Sequence, residues 1–207
     1  MFIQLIRSGL AISAGCILAT NLLLTYVGED RPGIVQELSA LVSAHGGNWL
    51  ESKMSRMGGR FAGIALVEIS TPHVEGLRSE ITQIPGLSVY LEESGVLETD
   101  SDNLAYQLNI VGLDRTGILQ EVTTEMSRQS INVIDLETSV RAAPMSGDKM
   151  FFADAQVLVP SDVDLADLHD RLDSVANKLG IDILLELSEQ MRETSTKNDL
   201  VLEKQSV

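Results

Sequence analysis

The chain has 207 residues, 44% hydrophobic and 22% charged, with 30 acidic against 15 basic side chains and a formal net charge of −15. It is therefore globular, long enough for one large or two small domains, and too acidic to hold phosphate backbones, so no direct nucleic-acid binding is expected. One cysteine, Cys16, excludes an intrachain disulfide and a cysteine-based zinc site; with three scattered histidines (His45, His73, His169) and no zinc-protease, dithiol, dinucleotide or P-loop motif, no catalytic residue, metal site or cofactor is expected.

Residues 8 to 28 carry no charge, and only Arg7 precedes this apolar run. Ser13-Ala14-Gly15-Cys16 loosely resembles a lipoprotein cleavage site, so a signal peptide or membrane anchor is one reading. The lone basic residue, the Ser three positions before Cys16, and the polar Thr20 and Asn21 count against it. Residues 1–20 are read as an apolar extension, non-native or frayed, that leads into a buried strand of a cytoplasmic chain.

The segment Gly28 to Glu37, GEDRPGIVQE, returns 84 residues later as Gly112 to Glu121, GLDRTGILQE, with seven of ten positions identical. Ser43 and Ser127, and Asn48 and Asn132, match at the same offset, so the chain contains an internal repeat. In each copy an apolar, β-prone run precedes the motif, Leu22 to Val27 and Leu104 to Val111. An amphipathic helix follows, with Ile34, Val35, Leu38, Leu41 and Val42 on one face, then Ile118, Leu119, Val122 and Met126 in the second copy. Gly46-Gly47 is placed to end the first helix.

Two strands come next in each copy. Trp49 to Met57 turns at Gly58-Gly59 into Phe61 to Ile69, a hairpin; Val133 to Val140 passes through a longer loop, Ala142 to Lys149, into Met150 to Val159. Pro72 and Pro160 close these strands. Second helices are spaced alike, at Val74, Leu77, Ile81 and Ile84 and at Leu165, Leu168, Leu172 and Val175. Final strands run from Leu87 to Leu91 and from Ile181 to Leu187. Each copy thus has the order strand-helix-strand-strand-helix-strand, an α+β ferredoxin-like βαββαβ domain. The expected domains are 21–94 and 103–187, joined by a linker at 95–102, with a polar tail at 188–207.

The Asp30-Arg31-Pro32-Gly33-Ile34-Val35 turn, set between an apolar strand and an amphipathic helix, resembles the ACT domain family. Asp114-Arg115-Thr116-Gly117-Ile118-Leu119 resembles it too, with Thr116 in place of the proline, and Asn48 and Asn132 fit as openers of the second strand. The pair of domains covers roughly residues 21 to 187, and two ACT domains with nothing else attached resemble the glycine cleavage system transcriptional repressor family. That resemblance implies tandem ACT domains binding a small amino acid, such as glycine or serine, where the first turn of one domain meets the second strand of a neighbour. The implied ligand-binding residues are Asp30, Arg31, Pro32, Gly33 and Asn48, then Asp114, Arg115, Thr116, Gly117 and Asn132. It also implies indirect action through a protein partner such as a DNA-binding transcription activator.

The chemistry of these residues suits an amino acid. A helix N-terminus offers free N–H groups and partial positive charge to a carboxylate. Glycine permits close approach, an asparagine amide donates and accepts, and an aspartate can pair with an ammonium. The same residues also have structural uses: the aspartate as a helix cap, the arginine in a salt bridge, Pro32 as a first-turn residue, the asparagine in a turn. Other candidates read as structural. Trp49 is core or interface, and the run from Asp162 to Asp173 is a solvated, acidic helix start.

The function expected is a non-enzymatic, amino-acid-responsive regulator. An allosteric ACT subunit of a metabolic enzyme is the alternative. The formyltetrahydrofolate deformylase family carries a similar first motif, but no residues remain here for its formyltransferase domain. A homodimer is expected, because ferredoxin-like sheets leave edge strands to cover. Residues 1 to 100 carry 6 basic and 11 acidic side chains, and residues 101 to 207 carry 9 and 19, so the second half is the better match for a basic partner.

Overall fold

A computed structural model of the chain describes residues 19–95 and 103–188. They form two compact units, one on each side of residues 96–102. Apart from their edge residues, the extension, linker and tail expected at 1–20, 95–102 and 188–207 lie outside the described residues. No helix among the described residues is long and apolar enough to cross a membrane.

The first unit runs β1 (Ala19–Glu29), α1 (Ile34–Ala44), β2 (Asn48–Met57), β3 (Arg60–Ser70), a short 3-10 turn over Thr71–His73, α2 (Val74–Ile81) and β4 (Leu87–Glu93). The second runs β5 (Asn103–Leu113), α3 (Ile118–Arg128), β6 (Asn132–Ala142), β7 (Lys149–Pro160), α4 (Leu165–Leu179) and β8 (Ile181–Leu187). Each makes a four-stranded antiparallel sheet, ordered β2-β3-β1-β4 and β6-β7-β5-β8. The α+β architecture of two tandem ferredoxin-like βαββαβ domains expected from the sequence is present. The strands outrun their apolar stretches because backbone pairing needs no apolar side chain; Thr20 and Asn21, for example, pair with Ile69 and Glu68.

Alternation along the central strands builds the cores. Leu22, Leu24 and Tyr26 of β1 point inward with Ile34, Leu38 and Val42 of α1 and Leu77 and Ile81 of α2. Leu108 and Ile110 of β5 do the same with Ile118, Val122 and Met126 of α3 and Leu168 and Leu172 of α4. Each such side chain contributes roughly 1.5–3 kcal/mol by leaving water. Each sheet therefore has a helix-covered face and an open one. Trp49 packs partly buried against the first core, as expected. The edge strands β2 and β6 share a bulge, between Trp49 and Glu51 and between Val133 and Asp135; the extra residue is Leu50 or Ile134.

The helix ends follow local rules. At the end of α1, Gly46 N–H donates to Ser43 O and Gly47 N–H to Val42 O, with Gly46 at φ +71°, a Schellman motif. The repeat at α3 is the same, Ser130 N–H to Ser127 O and Ile131 N–H to Met126 O, but Ser130 takes the left-handed position at φ +56°. Helix α4 starts at Asp164, whose carboxylate accepts from the N–H groups of Ala166 and Asp167, and ends at Gly180, φ +60°.

One buried group is at odds with its surroundings. Tyr26 is 1% exposed, and its hydroxyl has no hydrogen-bond partner among the described residues. Its ring stacks on Phe61 at 6.2 Å and lies over Gly63, where a Cβ would stand 2.7 Å from the hydroxyl. Ile110 and Ala153 hold the equivalent register positions in the second unit. Burial pushes the phenol up to about 12.

Two stability measurements test this packing. Tyr26→Phe removes an unpartnered hydroxyl and is expected to raise unfolding free energy by about 1 kcal/mol or more in denaturant titration. Wild type should also lose stability as pH rises from about 10 to about 12, since its folded pKa lies above the unfolded one, and the variant should lack that Tyr26 component. Ser130→Gly relieves a left-handed serine and should stabilise by about 0.5–1 kcal/mol.

Candidate functional site

The two motif turns are built alike. Strand β1 ends at Glu29, and the Pro32-Gly33 turn swings the chain into α1 with Gly33 at φ +94°. Gly117 at φ +98° does the same before α3. An L side chain in this left-handed region is strained, which explains the glycine in both copies. Glycine is also the residue at each N-cap, so no side chain closes over the first-turn N–H groups from that position. Neither aspartate caps its helix: the cap lies three residues beyond it. Instead the Asp30 N–H donates to Gly59 O at 3.2 Å and the Asp114 N–H to Lys149 O at 2.8 Å, which ties each turn to its own hairpin.

Side chains then make the two copies different. In the first, the Asp30 carboxylate pairs with Arg56 Nε at 2.7 Å. Arg31 forks onto Glu37, Nη1 to Oε1 and Nη2 to Oε2, both at 2.7 Å. That paired hydrogen bond raises the Arg31 pKa and lowers that of Glu37. In the second, Arg115 Nη2 donates to Lys178 O at 3.2 Å, at the end of α4. Glu121, the counterpart of Glu37, is taken by Lys178 Nζ at 2.8 Å.

The turns open onto different spaces. Beside the first lies a pocket of about 340 Å³ lined by Asp30, Arg31, Gly33, Ile34, Val35 and Gln36, with Phe61 as an apolar wall. Gly117 borders a groove of about 440 Å³ that runs between α3 and α4 past Glu121, Glu125, Arg128 and Lys178. Glu125 is buried there and held by Arg128 at 2.7 Å and Arg171 at 3.3 Å.

Of the site residues expected from the sequence, Asp30, Arg31, Pro32 and Gly33 share one turn, and Asp114, Arg115, Thr116 and Gly117 share the other. Asn48 and Asn132 do not reach the turn of their own unit. Asn48 opens β2 opposite Glu68, while the turn follows Glu29 opposite Arg60, at the other end of the sheet; Asn132, opposite Leu158, is placed likewise. Both asparagines are exposed. Phe61, Arg56 and Glu37 are additions that sequence reading did not select. For Glu37 the signal was present, since Glu37 and Glu121 are identical between the copies.

Residues 20–85 match the ACT domain family. That match lies within the first unit. The second repeats its strand order, its glycine turn and the end of its first helix. A crystal structure of an unknown protein from Galdieria sulphuraria is similar over 83% of this chain and 99% of that one, with a TM-score of 0.76 and 27% identity. A candidate glycine cleavage system transcriptional repressor matches over 83% of this chain and 98% of its own, with a TM-score of 0.60 and 20% identity. At that identity the second likeness speaks for the tandem fold. No curated protein matches the chain.

The glycine turns carry a direct test. Gly33→Ala and Gly117→Ala meet no atom within 4 Å, so their cost is conformational, and each should destabilise by about 1–2 kcal/mol in chemical denaturation.

Proposed function

We propose that this chain is a non-enzymatic regulator that responds to a small amino acid and acts on transcription through a protein partner in the cytoplasm. The observation that carries the reading is the glycine-capped start of α1 opening into its own pocket. The first-turn N–H groups and the positive helix end suit a ligand carboxylate. Asp30, at the rim, suits an ammonium, and Phe61 supplies an apolar wall. Because Asn48 stands at the far end of the same sheet, a site that uses it takes it from a neighbouring domain or a second copy, which supports a homodimer. The match in length and domain number to the candidate repressor supports the transcriptional role. The acidic surface favours a protein partner over DNA.

In isothermal titration, glycine or serine is expected to bind the folded chain, and Gly33→Ala should weaken that binding. Glu37→Gln releases Arg31 from its fork. It should tighten carboxylate ligands by about two- to fivefold. If no amino acid binds protein shown to be folded, the ligand part of the proposal fails. If a pull-down with and without glycine recovers no transcription factor, the partner part fails.

A further inference from the structure

The open face of the second sheet carries a chemistry that its fold does not require. Register sets one cross-strand row as Asp135, Gln156, Gln107 and Glu186, and the next as Glu137, Asp154, Asn109 and Leu184. Asp182 stands one row further on, opposite Val111. These five carboxylates are all exposed, and Arg141, opposite Met150, is the one basic residue that register puts on this face. The first unit has the same fold and register and keeps an acid at two of these places, Glu51 for Asp135 and Glu92 for Glu186, but its centre differs. Where the second has Gln107, Gln156 and Asp154, the first has Leu23, Leu66 and Ile64, and Lys53 stands in place of Glu137.

The face also holds a hollow. A pocket of about 240 Å³ sinks between Asn109, Glu137, Phe152 and Asp154. The Arg141 guanidinium lies 4.4 Å above the Phe152 ring, and its Nε donates to Ser139 Oγ at 3.1 Å. The slot thus has an aromatic floor and carboxylates at its side, and a guanidinium of the chain's own already rests in it. This is the environment in which an arginine is held by ring and charge together.

We propose that this open face of the second unit docks a basic, extended segment of a protein partner, with an arginine of that segment displacing Arg141 from the Phe152 ring and lying between Glu137 and Asp154. Charge complementarity selects the occupant. A second copy of the same face would bring like charges together, and a nucleic acid would bring phosphates to carboxylates. The inference rests on the partner half of the proposed function and not on the ligand half.

The test uses the full chain and two synthetic octapeptides, one alternating arginine and threonine, the other lysine and threonine. Binding is read by calorimetry and by amide chemical shifts at about 0.15 M salt. The arginine peptide should bind, with shifts on β5, β6 and β7. Glu137→Gln with Asp154→Asn should weaken it about five- to tenfold. The control pair Asp170→Asn with Asp173→Asn, exposed on α4, should change it by less than about twofold. Phe152→Leu should weaken the arginine peptide about threefold and the lysine peptide less. The proposal is overturned if neither peptide binds, if the shifts map elsewhere, or if both double variants weaken binding equally, which would mean diffuse attraction. Glycine titration of the Glu137→Gln, Asp154→Asn chain should match wild type, so a failed ligand site and a failed docking face give separate results.

Discussion

A single backbone constraint organises each half of this protein: the chain leaves the central strand and must enter a helix within four residues. Gly33 and Gly117 solve it by the same left-handed turn. The turn sets the helix over the sheet, so that Ile34, Leu38 and Val42, and Ile118, Val122 and Met126, face inward. It also aims the helix N-terminus outward past a residue with no side chain. Packing and ligand chemistry therefore share an origin. A larger residue at the glycine would strain the fold and crowd the amide groups together.

The two copies diverge in their ion pairs while keeping their backbone. The acid in the first helical turn is neutralised from the motif itself in one unit, by Arg31, and from the last helix in the other, by Lys178. The first arrangement leaves the turn beside a pocket of its own. The second fastens α3 to α4, together with Glu125 between Arg128 and Arg171. Duplication supplied two equivalent turns, and charge placement gave them different surroundings. The centres of the open sheet faces diverge in the same way, with Leu23, Leu66 and Ile64 in one unit and Gln107, Gln156 and Asp154 in the other, on an equivalent register.

Much of the fold was legible in the sequence because period and punctuation agreed. The apolar, β-prone run from Leu22 to Val27 and the three-four-three spacing from Val74 to Ile84 each predict one element, and glycines and prolines mark the ends. Most strand bounds were short, by up to three residues, since polar residues such as Asn21 pair as well as apolar ones, while Ile181–Leu187 matches at both ends. The site was legible only along the chain. The turn residues are contiguous and repeat, so they were found. Phe61, Arg56 and the carboxylates of the acidic face come together only through register across strands. The placement of Asn48 away from its own turn likewise follows from sheet order, which spacing does not reveal.

The bulge shared by β2 and β6 bears on which edge of each sheet a further strand can extend. An edge strand presents unpaired amides and carbonyls that a foreign strand can match. Leu50 and Ile134 each insert one residue near the start of that edge, which breaks the ladder's phase and sharpens its twist. A straight strand cannot stay in step along such an edge, so runaway sheet stacking is discouraged. The opposite edges, β4 and β8, run in unbroken register against β1 and β5 and keep their outward backbone groups in phase for a further strand.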